Sequence, residues 1–323
     1  MSGIKEFTIK TSPNSEESPH CTVNHTAPAI IFSTGGFVGN YFHDFTDLLI
    51  PLFVTSRQYQ GEVHFLVADF SYGWVSKYRA ILNQLTKHEI INLDRDKQAH
   101  CFPQVHVGLI SHKELGMEPS KTPNGYSVSD FRELLRSSFS LKRKSVGTLN
   151  GRKPRLLIVL RKGSRSFTNR REIVSMGRRL GFKVVAAGPE EARNLTRFAK
   201  VVNSVDVMLG VHGAGLTNML LLPAGAALIQ ILPWGGLHYA CWHDFGAPAP
   251  DMGIKYFEYD IREKESSLIQ KYSRDDPVFK DPLSIHKQGF GAIWSVFLKD
   301  QKVRLDVHRF GSVLLEALQA IQQ

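Results

Sequence analysis

The sequence predicts an α/β protein of two domains, and three observations carry that prediction. The chain has 323 residues, about twice the ~150 residues of a typical single domain. Short β-type apolar runs alternate with helical patterns in both halves, as in a sheet wound with helices. Between the halves, Leu141 to Pro154 holds Lys142-Arg143-Lys144, Gly147, Asn150-Gly151 and Lys153-Pro154. With little to bury, this stretch reads as a solvated interdomain linker. The expected layout is a polar leader at 1–27, a first domain at 28–145, a second at 152–305 and a closing helix at 306–323.

The leader is polar, with Pro13, Pro19 and many Ser and Thr. Ala29 to Ser33 is an apolar strand, and Thr34-Gly35-Gly36 turns the chain into a helix on which Phe42, Phe45, Leu49 and Leu52 share one face. Strands at Val63 to Ala68, Glu89 to Leu93 and Val105 to Leu109 follow, with helices at Lys77 to Leu85 and Asp130 to Phe139. In the second half, strands are expected at Arg155 to Leu160, Phe182 to Ala187, Val205 to Val211 and Ala227 to Leu232. Helices separate them: Asn169 and Glu172 form a capping pair for one that runs to Leu180 and ends at Gly181. Others span Pro189 to Asn203 and Ala214 to Leu222. This βαβαβαβ order predicts a parallel, right-handed, doubly wound sheet with ligands beyond its carboxyl edge. A last helix at Asp306 to Ile321 carries Val307, Phe310, Leu314, Leu318 and Ile321 at packing intervals.

Hydrophobic residues at 42% and charged residues at 22% exclude a disordered, collagen-like or disulfide-scaffold chain. Forty Lys plus Arg against thirty Asp plus Glu give a formal charge of +10, which points to an anionic partner such as a phosphate, nucleotide, acidic polymer or membrane surface. The excess is local: Arg152 to Arg179 holds ten basic residues and one acid, Glu172. No aromatic and basic platform accompanies it, so nucleic acid is not an expected partner. No run approaches the ~18 apolar residues of a membrane span, and Met1 to Asn24 has neither a hydrophobic region nor a cleavage site of the secretory type; the chain as written is expected to be soluble. Cys21, Cys101 and Cys241 are too scattered for a CxxC metal site; a Cys21–Cys101 bridge is one pairing open to them. Asn24-His25-Thr26 and Asn194-Leu195-Thr196 have the form of glycosylation sequons and lean towards the secretory pathway.

Three segments carry chemistry. Val211-His212-Gly213-Ala214-Gly215-Leu216-Thr217-Asn218 joins a buried strand to a helix. Its glycines admit a ligand to the backbone, the helix amides attract an anion, His212 can add a hydrogen bond and Asn218 follows about one turn on. It is neither a GxGxxG fingerprint nor a P-loop, because it lacks the P-loop Lys; a tight packing turn is the bland alternative. Arg161-Lys162-Gly163-Ser164-Arg165, with Asn169 and Arg170, opens on the same sheet edge, so two cationic clusters converge on one diphosphate or else form a solvated loop. Gly35 to Asp47 places His43 and Asp47 at i, i+4 and Asp44 beside them, which suits acid–base work or a salt-linked helix start. No third and fourth ligands at fixed spacing support a metal there. Trp234 is read as stacking on a base or sugar ring or as packing, and Glu263 to Ser267 as a lesser candidate.

Taken in order, Gly35 to Asp47 (GGFVGNYFHDFTD), the Leu157 to Arg165 strand and loop, and His212 to Asn218 (HGAGLTN) resemble glycosyltransferase family 61, particularly its plant members. Glu265-Ser266-Ser267-Leu268-Ile269, Tyr272 and Asp281-Pro282 are similar to the plant branch. The resemblance covers the chain from about residue 27 onward. It implies a GT-B architecture, two Rossmann-like domains facing across a cleft, with the C-terminal one holding a nucleotide sugar. It also implies inverting transfer to a glycan in the Golgi lumen. Plant members act on xylan as xylosyl- or arabinosyltransferases, or on N-glycans as a core β-1,2-xylosyltransferase. Carried over by position, Arg161, Arg165, His212, Gly213, Ala214 and Gly215 hold the diphosphate of a UDP-sugar; Asn218 and Trp234, read from their own segments, are placed on the donor side with them. Xylose or arabinofuranose is the expected sugar and xylan the expected acceptor; no cofactor and no metal are expected, since cations and a helix dipole stabilise leaving UDP. His43, Asp44 and Asp47 are the base candidates, Asp44 ranked first. Plant members begin with a cytosolic tail and a membrane anchor, which this sequence does not show. The alternative from another class is an inactive paralogue that binds UDP-sugar or glycan.

Overall fold

The computed structural model describes residues 7–11, 19–147 and 151–322. The chain divides into two compact units, Met1–Ser138 and Phe139–Gln323, and both are α/β with wholly parallel sheets.

In the first unit, β1 (Val23–Asn24) and β5 (His100–Cys101) pair in parallel. β2 (Ala29–Ser33), β3 (His64–Ala68), β4 (Ile91–Asn92) and β6 (Val105–Val107) form a sheet in the order β4-β3-β2-β6. The succession β2, β3, β4 runs to one edge and β6 returns to the other side of β2, which makes the carboxyl end of β2 a switch point. A continuous helix over 41–56 follows the turn after β2; Asn40 caps it by accepting from the Phe42 N–H at 3.1 Å. Its stretch Asp44–Leu49 is π-helical, so the Ile50 N–H reaches back to the Phe45 carbonyl. The wide turn ends just before Pro51, which has no N–H to continue an ordinary ladder. Phe45, Leu49 and Phe53 are buried, and Phe131 of the Val128–Phe139 helix meets Phe45 and Phe53 edge-on. The helix expected at Lys77 to Leu85 begins earlier, as Tyr72–Leu82, because Ser71 Oγ accepts from the Trp74 N–H at 3.2 Å.

The expected leader corrects in part. Val23 and Asn24 belong to the fold as β1, and Cys21 forms a disulfide with Cys101, their Cα atoms 5.6 Å apart. Residues 7–11 carry no regular secondary structure, and residues 1–6 and 12–18 of that expectation lie outside the described residues.

Four imidazoles meet in this unit. His25 Nε2 and His100 Nδ1 share a hydrogen bond of 2.8 Å; His64 lies 4.3 Å from His25 and 3.9 Å from His88, ring centre to ring centre. Phe102 stacks on His25 at 4.3 Å, and Glu62 and Asp96 stand 3.4 and 3.3 Å from His88 and His100. Burial, then the neighbouring His88, His25 and His100, pushes His64 down to about 4, and burial followed by His100 and His88 lowers His25. These groups resist protonation when folded but accept it near pH 6.5 when unfolded, so stability is full above that pH and falls below it. Melting at pH 7.5 and pH 5 should show a Tm lower by about 3–5 °C at pH 5, and His64→Gln should shrink that difference; equal pH dependence in both proteins would contradict the assignment.

In the second unit, β7 (Arg155–Val159), β8 (Lys183–Ala187), β9 (Val207–Val211), β10 (Ala227–Leu232) and β11 (Lys255–Asp260) are ordered β11-β10-β9-β7-β8. β9 and β10 are buried along their whole length, as parallel strands covered on both faces should be. β11 is a fifth strand beyond the four the sequence suggests. It lies at an edge, half-exposed, and its KYFEYD composition carries no apolar run. The helix expected over Pro189 to Asn203 is two, Pro189–Ala192 and Leu195–Asn203, because Asn194 Oδ1 caps the second by accepting from the Arg197 N–H at 2.9 Å. Asn169 does not cap its helix; its amide instead brackets the Leu305 backbone, at 3.0 Å to the N–H and 2.8 Å to the carbonyl.

The segment read as a solvated linker packs into this unit. Leu141 and Val146 are buried, and the Val146 N–H donates to the Ala224 carbonyl at 2.9 Å. Fully buried Asp206 gathers Arg143 at 2.7 Å, Arg152 at 2.7 and 2.8 Å and the Arg155 N–H at 2.8 Å. Burial alone would raise the pKa of this carboxyl; Arg152, Arg143 and the Arg155 amide hold it below its usual value. Asn150 lies outside the described residues.

Candidate functional site

β8 and β9 flank β7 on opposite sides, so the chain switches direction there, and the loops that leave β7 and β9 rise side by side. The β7 loop carries Arg161 and Arg165. Arg161 Nε donates to the Ser164 carbonyl at 3.1 Å. Arg165 sits in the left-handed region at φ 52, its N–H on the Gln301 carbonyl and its Nη1 3.0 Å from the His212 carbonyl. Both guanidiniums overhang Gly213, whose φ is +133: a Cβ there would lie 2.8 Å from Arg161 Nη1 and 2.9 Å from Arg165 Nη1. Glycine at this position is therefore what lets the two cations converge.

The electrostatics follow from burial. Arg165 is 6% exposed and His212 8%. Burial, then the charge of Arg161, brings Arg165 down to about 10, and burial lowers Arg161. Burial, then Arg165 and Arg161, pushes His212 down to about 3, so its imidazole is neutral near pH 7. Among the described residues no carboxylate forms an ion pair with either arginine, and His212 Nδ1 and Arg165 Nε make no hydrogen bond. Asp244, on the π-helical turn Trp242–Gly246, stands 3.8 Å from His212 Nε2. Buried cations ordinarily have a counter-charge; buried Arg165 and half-buried Arg161 have none among the described residues.

The helix after Gly213 is a 3-10 helix, Ala214–Leu221, with no side-chain cap. Gly215 packs on β7, where a Cβ would come within 3.0 Å of Val159 Cγ1. Asn218 folds back, its Nδ2 donating to the Gly215 carbonyl at 2.8 Å. Trp234 packs inward: its indole N–H donates to the Val278 carbonyl at 2.9 Å and its ring leans on Phe279. Gln301, fully buried, clamps the loop after β10 by accepting from the Trp234 N–H at 2.8 Å and donating to the Trp234 carbonyl at 2.9 Å. Glu265 serves packing, accepting from Tyr259 Oη at 2.7 Å and the Asp306 N–H at 2.8 Å and pairing with Arg309.

In the first unit the Gly-rich turn after β2 opens the 41–56 helix. Asp44 is fully buried: Oδ1 accepts from the Gly39 N–H at 2.9 Å, and Oδ2 from Tyr78 Oη at 2.6 Å and Lys77 Nζ at 3.1 Å. Its carboxylate thus ties the turn to the Tyr72–Leu82 helix. His43 and Asp47 form a second, partly exposed pair, Nδ1 to Oδ2 at 2.9 Å. Phe37 stacks on His43 at 4.7 Å. With Nδ1–H donated to a carboxylate, Nε2 carries the basic lone pair, and among the described residues no group hydrogen-bonds it.

Asp244, Gln301 and Lys77 were not singled out from sequence. Each acts through a partner dozens of positions away, and nothing local marks it. Among the described residues no group of three or more His, Cys, Asp or Glu is placed to hold a metal ion, and no helix is long and apolar enough to cross a membrane.

Wholly parallel sheets, with cationic groups at the carboxyl ends of adjoining strands of the second unit, define an α/β protein. Residues 41–229 match the family described as Glycosyltransferase 61, and the chain belongs to that family. It is 47% identical to the alpha-1,3-arabinosyltransferase XAT3 of Oryza sativa subsp. japonica over 321 residues, 98% of this chain and 55% of that protein. It is 42% identical to the beta-1,2-xylosyltransferase XYXT1 of the same plant, over all of this chain and 70% of the relative. With the xylan glycosyltransferase MUCI21 of Arabidopsis thaliana it shares 38% identity over 92% of this chain and 63% of the relative. The chain spans little over half the length of several such relatives.

Proposed function

We propose that this chain transfers a pentose, xylose or arabinofuranose, from a UDP-sugar to a plant cell-wall glycan, xylan, with inversion at the anomeric carbon. The two units take the GT-B roles, the second binding donor and the first acceptor. The observation that carries the donor reading is the pair of guanidiniums over Gly213, Arg165 buried and Arg161 half-buried, and the names of the rice and Arabidopsis relatives support the pentose and xylan. His43 is the base: its Nε2 takes the proton of the acceptor hydroxyl as that oxygen attacks the anomeric carbon. Asp44 is set aside for this role because its oxygens are enclosed and already accept three hydrogen bonds. The bond to UDP breaks on the opposite face, and Arg161, Arg165 and the amides after Gly213 stabilise the departing diphosphate. No resident metal is invoked. The working site is the Golgi lumen, in keeping with the Cys21–Cys101 disulfide, which belongs to oxidising compartments, and with exposed sequon residues Asn24 and Asn194.

Calorimetry with UDP, with and without a chelator, tests the donor reading. Arg161→Ala and Arg165→Ala are each expected to weaken UDP binding by about 1–3 kcal/mol, with the chelator changing little. Wild-type affinity in both variants would remove the diphosphate from this cradle, and binding lost to chelator and restored by manganese would replace the metal-free reading.

A further inference from the structure

A carboxylate outside the His43–Asp47 pair is built into its surroundings. Thr46, 4% exposed, lies on the π-helical turn between those two residues, and its hydroxyl both donates and accepts. Oγ1 donates to Glu114 Oε2 at 2.7 Å and accepts from the Leu115 N–H at 2.9 Å. Glu114 sits on the turn after β6, closed by a bridge between Lys113 and Gly116. Leu115 occupies the left-handed region at φ 44 while wholly buried. A non-glycine residue adopts that conformation at a cost and only where its surroundings enforce it. β6 adjoins β2, so this turn stands beside the one that opens the 41–56 helix.

The charges around the pair can be counted. On its own helix are Tyr41, Asp44 and Asp47; from the Tyr72–Leu82 helix come Lys77 and Tyr78, both bound to Asp44; from the turn after β6 come Glu114 and, next to it in the chain, Lys113. Lys77 balances Asp44, which leaves Asp47, bonded to the imidazole, and Glu114, held by Thr46 one position before Asp47 in the chain. Asp47 registers this: burial raises its pKa, the bond to His43 opposes that, and Glu114 adds to the rise.

We propose that Glu114 is a positioning residue for the proton transfer, held by Thr46 so that its negative charge strengthens Asp47 and stabilises the imidazolium formed when His43 takes the acceptor's proton. This rests on the reading of His43 as the base. The test uses the whole chain with UDP-xylose or UDP-arabinofuranose and xylo-oligosaccharides, across pH. Glu114→Gln should move the acid limb of kcat/KM about half to one pH unit downward and lower kcat several-fold, with KM for the UDP-sugar unchanged. Glu114→Asp should restore most of both, and Thr46→Val should reproduce the shift. The imidazole signal of the pair, followed by NMR without turnover, should titrate lower in Glu114→Gln by the same amount. An unmoved NMR titration overturns the role of Glu114 whatever the rates do. His43→Gln that keeps transfer overturns the base assignment and this inference with it; an inactive His43→Gln with an unshifted Glu114→Gln overturns the role of Glu114 alone.

Discussion

His43→Ala is expected to slow sugar transfer by about 10²–10⁴-fold, the contribution of a positioned general base, while leaving UDP affinity at the wild-type value. The separation arises because His43 bonds only within the first unit, to Asp47 at 2.9 Å, whereas the guanidiniums over Gly213 belong to the second. Asp44 supplies the contrast. Its oxygens accept from Gly39, Tyr78 and Lys77 in a site closed to water, so Asp44→Asn should lower the melting temperature and reduce activity through folding. Steady-state kinetics beside calorimetry and thermal melts distinguish the two variants. Transfer by His43→Ala within tenfold of wild type would remove the base assignment.

Asp206→Ala should destabilise the second unit by about 3–5 kcal/mol, the usual result of stripping one partner from a buried ion pair. The loss exceeds that of a surface bridge because Asp206 is fully buried and anchors Arg143 and Arg152 together, as well as the Arg155 N–H at the start of β7. Urea denaturation of the two proteins measures it. A difference below about 1 kcal/mol, the level of an exposed pair, would mean that the cluster is solvated and structurally idle.

The strands of the second unit were legible because a parallel strand covered on both faces is a near-continuous apolar run. Ala227–Leu232 reads directly as such, whereas Lys255–Asp260, at the edge, mixes Lys, Glu and Asp with aromatics and gives no such signal. β1 and β5 are two residues each and depend on each other and on a disulfide for definition. The packing of the basic segment from Leu141 is not legible for a related reason: Arg143 and Arg152 find a buried partner, Asp206, more than fifty positions away. That the cations after β7 stand beside Gly213 follows from strand alternation and the switch-point rule. The enclosure of Asp44 does not, since Lys77 and Tyr78 lie on another helix; nor does the place of Glu114, which depends on a left-handed Leu115.

The Cys21–Cys101 bond closes a loop with a sequence separation of 80 residues, and in the chain-entropy account such a closure favours folding by about 4–5 kcal/mol. A polypeptide produced where thiols stay reduced would have to order that loop unaided. The redox character of the expression host therefore belongs among the variables of every assay above, because it decides how much of the purified material has a first unit in which His43 can work.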